Sequence, residues 1–147
     1  MDPAGPRTLE QLYAAACASI DRFEPLDAYR ATGRGALIVD IRSDTSRARD
    51  GVVPGACHIP RTVLEWRAAP DSPWRNPHLG GPEQQLILLC DHGYSSALAA
   101  ATLRELGLLS TGDVIDGFVG WRTAGLPVAP APAPFDGVPG TAPPDPG

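Results

Sequence analysis

The sequence predicts a three-layer α/β domain, with a short, mostly parallel central sheet and helices on both faces, and two stretches carry that expectation. The first is Leu86 to Leu106, LILLC-DHGYSS-ALAAATLREL, which passes from an apolar run through a small polar loop into an Ala/Leu-rich helix signal. A continuous apolar run of strand length suits a strand buried on both faces, as parallel sheets require. The second is Ala36 to Asp40, ALIVD, a similar run opened by Gly33 and Gly35 and closed by polar residues. At 147 residues the chain is long enough to bury one sizeable core.

Taken in order, Thr8-x-x-Gln11 reads as a capping box at the start of a helix, with Leu9, Leu12, Tyr13, Ala16, Cys17 and Ile20 on one face. This helix forms an N-terminal extension over residues 1–20, packed onto the domain, with Cys17 in its apolar seam. Phe23 belongs to a short edge strand, and Pro25 opens a helix to about Ala31, where a proline in the first turn loses nothing. Ser43 to Asp50 reads as a short helix closed by Gly51, with Arg47 and Arg49 on a solvated face. Val53-Pro54-Gly55 is a turn leading into a strand at Ala56 to Ile59. Period-2 alternation sends Cys57 and His58 of that strand to opposite faces, one a buried thiol, the other without a second metal ligand at suitable spacing. Between Arg61 and Gly81 the density of Trp, Arg and Pro marks an ordered connection. Such connections often wall a site, which makes Trp66 and Arg67 candidates to contact a ligand. A last strand at Asp113 to Ile115 and a last helix at Gly117 to Ala124, burying Phe118 and Trp121, complete a domain over residues 21–129. Residues 130–147 are Pro-rich, nearly uncharged and without apolar period, a composition that predicts a polyproline-like, disordered tail.

The chemistry converges on Cys90. It stands where an apolar strand gives way to a loop and a helix N-terminus, the edge at which open α/β sheets bind ligands. Loop N–H groups and the helix's positive end favour an anion there, and a thiolate is one; such surroundings lower a cysteine pKa from about 8.5 toward neutrality. Position alone also admits a buried, inert thiol. Gly93 supplies the permissive backbone, and Ser95 and Ser96 the hydroxyls, that a loop curled around a sulfur atom needs. Asp40 and Arg42 fall at the same sheet edge, at the end of the neighbouring strand.

Four motifs together resemble the rhodanese-like sulfurtransferase family. The loop Cys90-Asp91-His92-Gly93-Tyr94-Ser95-Ser96 is similar to its active-site loop, and Val39-Asp40-Ile41-Arg42 to its strand-ending VDxR. Gly51 to Ala56 with Ile59-Pro60 resembles GHIPGAxxIP, and Asp116 to Val128 resembles GGFxAWxxAGxPV. Val63 to Arg67 and the GYSS segment also resemble an actinobacterial-type subgroup. The resemblance implies a single rhodanese-like domain in which Cys90 takes up a sulfane sulfur as a persulfide and hands it to a thiol or other thiophilic acceptor. Asp91, His92, Gly93, Tyr94, Ser95 and Ser96 would contact the substrate, Asp40 and Arg42 would support the loop, and neither metal nor organic cofactor is implied. The chain departs from the pattern at Ser95, where many members carry arginine, at Asp91, which adds a negative charge, at Val52 for histidine, and at Asp116 for the first glycine of GGF.

A binding or regulatory module that keeps the fold without turnover is an alternative of another class. A cysteine-loop phosphatase or arsenate reductase would close the loop with an arginine, where this chain has Ser96. The net charge of −5 argues against nucleic acid or an anionic membrane as partner, and the twelve basic residues, all arginine, are scattered. Three well-separated cysteines form neither a zinc ribbon nor a disulfide framework, and no secretory signal or membrane-span pattern occurs. A cytoplasmic protein with a small-molecule sulfur donor and a thiol or protein acceptor is therefore expected.

Overall fold

The computed structural model describes residues 5–132, so most of the Pro-rich segment over 130–147, expected to be a disordered tail, lies outside the described residues. Five strands, β1 (Asp21–Phe23), β2 (Leu37–Asp40), β3 (Cys57–His58), β4 (Leu86–Leu89) and β5 (Thr111–Val114), form one sheet in the order β1-β5-β4-β2-β3. Every pairing in it is parallel. The central strand β4 is buried at all four residues, as its unbroken apolar run requires.

The neighbouring strands β2 and β4 split their side chains between two cores. Val39, Leu86, Leu88 and Cys90 pack with helices α1 (Leu9–Ser19), α4 (Leu64–Ala68) and α5 (Ser95–Glu105) on one face. Ile38, Ile87, Leu89 and Val114 pack with α2 (Pro25–Thr32) and α6 (Gly117–Thr123) on the other, where Phe118 and Trp121 are almost fully buried. Ala97, Ala99 and Ala100 give α5 the narrow face that lets it lie close to β4.

Local signals explain the element ends. The Thr8 hydroxyl accepts from the Gln11 N–H at 3.1 Å while the Gln11 side chain accepts from the Thr8 N–H at 2.9 Å, so both halves of the capping box form. A cap of this kind is worth about 1 kcal/mol. Ser43 caps the helix α3 (Asp44–Asp50), and Gly51 ends it at φ 91°, a conformation that suits glycine. Strand β5 begins two residues before the sequence suggests. Gly112 sits so close to the Asp21 carbonyl of β1 that a Cβ there would collide with it, which is why a glycine continues the strand.

One surface expectation is corrected. Arg47 is not on a solvated face: its side chain is 12% exposed, with Nε 3.4 Å from Asp40 and Nη1 3.0 Å from His58 Nδ1. His58 Nε2 lies 2.8 Å from the Arg42 carbonyl, an acceptor only, so Nε2 carries the proton and Nδ1 accepts from Arg47. His58 thus serves as a brace between β3 and the segment after β2. Arg49 is exposed, as expected.

Candidate active site

The chain leaves β4 at Cys90 and winds back so that backbone N–H groups aim at the sulfur. Gly93 donates to Cys90 Sγ at 3.1 Å and Ser96 donates at 3.4 Å, the second from the first turn of α5. Two convergent amides at a helix start form an anion cradle of the kind that holds thiolates and oxyanions. Gly93 has φ 86°, and a Cβ on it would lie 2.8 Å from the Asp116 amide, so the loop closes only over glycine. The opposite helix also grips the loop: Phe118 N–H donates to the Cys90 carbonyl at 2.8 Å and Val119 N–H to the Asp91 carbonyl at 3.2 Å. Asp116, standing where the family pattern has glycine, adopts φ 63°, a left-handed conformation that aspartate tolerates better than most residues.

Cys90 is buried, at 6% exposure, below a cleft of about 260 Å³ lined by Arg42, Cys90, Asp91, His92, Tyr94 and Ser95. His92 and Tyr94 also line a neighbouring cleft of about 430 Å³ with Glu24, Pro25 and Asp116. Gly93 and Ser96 are buried beneath the loop, whereas His92, Tyr94 and Ser95 are exposed around it.

Asp40 and Arg42 are nearby but closed on each other. Asp40 accepts from Arg42 Nε at 3.0 Å, from its Nη2 at 2.8 Å and from its backbone N–H at 3.0 Å. Nη2 also donates to the Gly51 carbonyl at 2.9 Å, and the guanidinium carbon stacks 4.0 Å over the Phe118 ring. The Arg42 side chain has no exposed surface, so its charge is held below the cleft and matched by Asp40. The structure does not bring Trp66 or Arg67 to the thiol. Arg67 turns into its own connection, where Nη1 donates to the Trp74 carbonyl at 2.8 Å, and Trp66 is 54% exposed outside the cleft lining.

The other cysteines are separate from this cleft and all three thiols are free. Burial pushes the Cys57 thiol up, opposed by the Arg67 charge. Among the described residues no group of three or more His, Cys, Asp or Glu could hold a metal ion, and no helix is long and apolar enough to cross a membrane.

Three residues at the site were not singled out from sequence. Asp113 of β5 has no exposed surface and accepts the Ser96 hydroxyl at 2.7 Å. Arg22 of β1, the strand paired beside it, binds Asp113 through Nε at 2.9 Å and Nη2 at 3.1 Å, and reaches the Gly93 carbonyl at 2.7 Å. That pairing, with Asp113 first among the causes, drives the Arg22 guanidinium further above its already high range. Tyr13 of α1 accepts from Arg22 at 3.1 Å, donates to the Gly93 carbonyl at 3.4 Å and packs its ring 5.6 Å from that of Tyr94. Burial is the main cause that raises the Tyr13 hydroxyl. An aspartate inside a short strand is the signal that could have led to this group, because a buried carboxylate needs a partner.

A parallel α/β sheet with a cysteine cradled by its own loop and one helix start defines a class of cysteine-loop proteins. Within it, the rhodanese-like domain model matches residues 24–124, and the chain belongs to that family. It is 31% identical over 111 residues to the thiosulfate sulfurtransferase GlpE of Haemophilus influenzae strain 86-028NP, covering 75% of this chain and 95% of that one. To GlpE of Stutzerimonas stutzeri it is 34% identical over 102 residues, covering 69% and 84%. Among solved structures it resembles a Rhodopseudomonas palustris protein described as a possible tyrosine phosphatase, with TM-score 0.77, 31% identity and 88% and 99% coverage. It also resembles the polysulfide-sulfur transferase homodimer of Wolinella succinogenes, with TM-score 0.65, 27% identity and 82% and 85% coverage.

Proposed function

We propose that this protein is a sulfurtransferase that carries a sulfane sulfur on Cys90 from a thiosulfate or persulfide donor to a thiol or other thiophilic acceptor. The observation that carries the reading is the cradle: two backbone N–H groups aimed at a buried sulfur that opens on a cleft. The relatives named thiosulfate sulfurtransferase support it.

In the reaction, the Cys90 thiolate attacks the outer sulfur of the donor. A new S–S bond forms as the donor's own bond to that sulfur breaks, and the leaving group, sulfite from thiosulfate or a thiolate from a persulfide, departs with the electron pair. An acceptor thiolate then attacks the outer sulfur of the Cys90 persulfide and releases the Cys90 thiolate. Gly93 and Ser96 amides hold the sulfur anion throughout, and His92, Tyr94 and Ser95 face the substrates at the rim. Asp91 lies in the cleft lining, where its charge opposes a doubly charged donor. A less charged persulfide is therefore the better donor. The separated free cysteines favour a reducing compartment such as the cytoplasm.

The test is turnover of the full chain with thiosulfate and with a low-molecular-weight persulfide, beside p-nitrophenyl phosphate as a phosphatase substrate. Sulfur transfer without phosphate release supports the proposal. Phosphate release without sulfur transfer overturns it, and no turnover of any substrate supports a binding module instead.

A further inference from the structure

The Ser96 hydroxyl is the one side-chain group bonded to the Cys90 sulfur among the described residues, and it also bonds Asp113, a carboxylate that can only accept. A hydroxyl has one hydrogen to give. Ser96 gives it to Asp113 Oδ2 at 2.7 Å, a short bond to a carboxylate with no exposed surface. Charge-assisted bonds of this kind are about twice as strong as neutral ones. What remains toward Cys90, 3.2 Å away, is an oxygen lone pair that can only accept. The Ser96 hydroxyl therefore accepts from the Cys90 thiol rather than donating to it.

Asp113 is itself fixed. Arg22 grips both of its oxygens and, with the same Nη2, holds the carbonyl of Gly93, the residue whose N–H reaches Cys90 from the other side. Tyr13 adds a second bond to that carbonyl from α1, which lies before the matched family region. One guanidinium on the edge strand thus sets two of the contacts around the sulfur. The remaining charged or titratable groups at the cleft are Asp91 and His92 of the loop, Tyr94 at its end, and Arg42, whose charge Asp40 matches.

We propose that Asp113, held by Arg22, is a positioning residue for Cys90: it commits the Ser96 hydroxyl as a donor to itself and so makes Ser96 the acceptor of the Cys90 thiol hydrogen. The two backbone amides then favour the sulfur anion while Ser96 favours the thiol, and the balance is set from β5. The functional weight of this arrangement rests on the reading of Cys90 as the sulfur-carrying nucleophile, but the arrangement itself is testable without any sulfur donor.

The experiment uses the full chain carrying Cys17→Ser and Cys57→Ser, which leaves Cys90 as its single thiol. The infrared S–H stretch should lie at the low frequency of a thiol that donates to oxygen, and Ser96→Ala should raise it. A band that does not move overturns the proposal. Iodoacetamide alkylation of Cys90 against pH supplies the second readout. Removing the charge with Asp113→Asn should speed alkylation at pH 7 by about five-fold, the weight of one ordinary hydrogen bond, and move the inflection to lower pH. Repeated in the Ser96→Ala background, the same change should have a clearly smaller effect, because the hydroxyl that relays it is gone. Equal effects in the two backgrounds, or none in either, overturn the proposal by reducing Asp113 to a distant charge or a structural strut. Should Asp113→Asn fail to fold, Arg22→Gln serves in its place. Leaving Asp113 without its counter-charge should slow alkylation at pH 7, an effect again smaller with Ser96→Ala, and unchanged rates overturn the proposal. Neither readout involves sulfur transfer, so failure here leaves the proposed activity standing, and the reverse.

Discussion

Two arginine–aspartate pairs flank the strand that delivers Cys90, and they do different things. On the β2 side, Asp40 and Arg42 are both buried and close on each other through three hydrogen bonds, and the Arg42 guanidinium stacks on the Phe118 ring. On the β5 side, Asp113 and Arg22 make an equally tight pair, but each partner also holds a group that touches the sulfur. The first pair is two residues apart in sequence and ties a turn; the second spans 91 positions and ties the edge strand to the Cys90 loop. Chemical identity therefore says little about role. What each partner does with its remaining hydrogen-bonding capacity decides it.

The largest expected effect marks the centre of the comparison. Cys90→Ser should abolish sulfur transfer with the fold retained by circular dichroism, since serine is close in size and the cradle is mostly backbone. Cys17→Ser or Cys57→Ser should leave most activity. Loss with Cys57→Ser equal to that with Cys90→Ser would break the single-cysteine mechanism.

The pairs themselves should separate stability from reactivity. Asp40→Ala leaves a fully buried guanidinium without its counter-charge and should cost about 3–5 kcal/mol in urea unfolding. In the fraction still folded, the pH profile of Cys90 alkylation should barely change. A shifted profile would mean that the β2 pair also tunes the thiol, and the contrast with Asp113 would fail.

A weaker test sits at the mouth. Asp91 stands beside a buried, matched Arg42, so at about 5–6 Å from a bound anion it should oppose each donor charge by about 1 kcal/mol at high effective dielectric. Asp91→Asn should improve thiosulfate over persulfide efficiency by about five-fold or more at low salt, and the gain should shrink as salt screens it. An unchanged donor ratio would show that the carboxylate does not face the donor.

The smallest effect concerns Tyr13. Tyr13→Phe removes two part-buried hydrogen bonds around the Gly93 carbonyl and should cost about 1 kcal/mol of stability while Arg22 still holds the loop. Burial also predicts a pH dependence elsewhere. The Cys57 thiol is raised in the folded state, so its contribution to stability is complete below the unfolded cysteine range and declines as pH rises through and above it. Cys57→Ser should flatten that alkaline decline in a denaturation series.

Much of the fold was legible because its signals are local. The unbroken run Leu86 to Leu89 places the central strand, Thr8 and Gln11 place the first cap, and Gly51 ends α3 where the chain must turn. The shape of the loop from Cys90 to Ser96 was legible for the same reason, since strand end, cysteine, permissive glycine and helix start follow one another within it. The β5 network was not. Arg22, Asp113 and Tyr13 lie on three elements, and only tertiary structure joins them: the parallel pairing Arg22↔Asp113 beside β4 and the hydrogen bond from Arg22 to Tyr13. Trp66 and Arg67 show the converse: composition marked their connection as ordered, but order there comes from Arg67 binding the connection's own backbone.

The most direct test of sulfur transfer through Cys90 is the intact mass of the full chain after incubation with a low-molecular-weight persulfide and removal of excess donor. One added sulfur, absent from Cys90→Ser and lost again on adding an acceptor thiol, is the expected result. A chain that gains no sulfur from this donor or from thiosulfate, or that gains it at Cys57 while Cys90 stays unmodified, would contradict the proposed function.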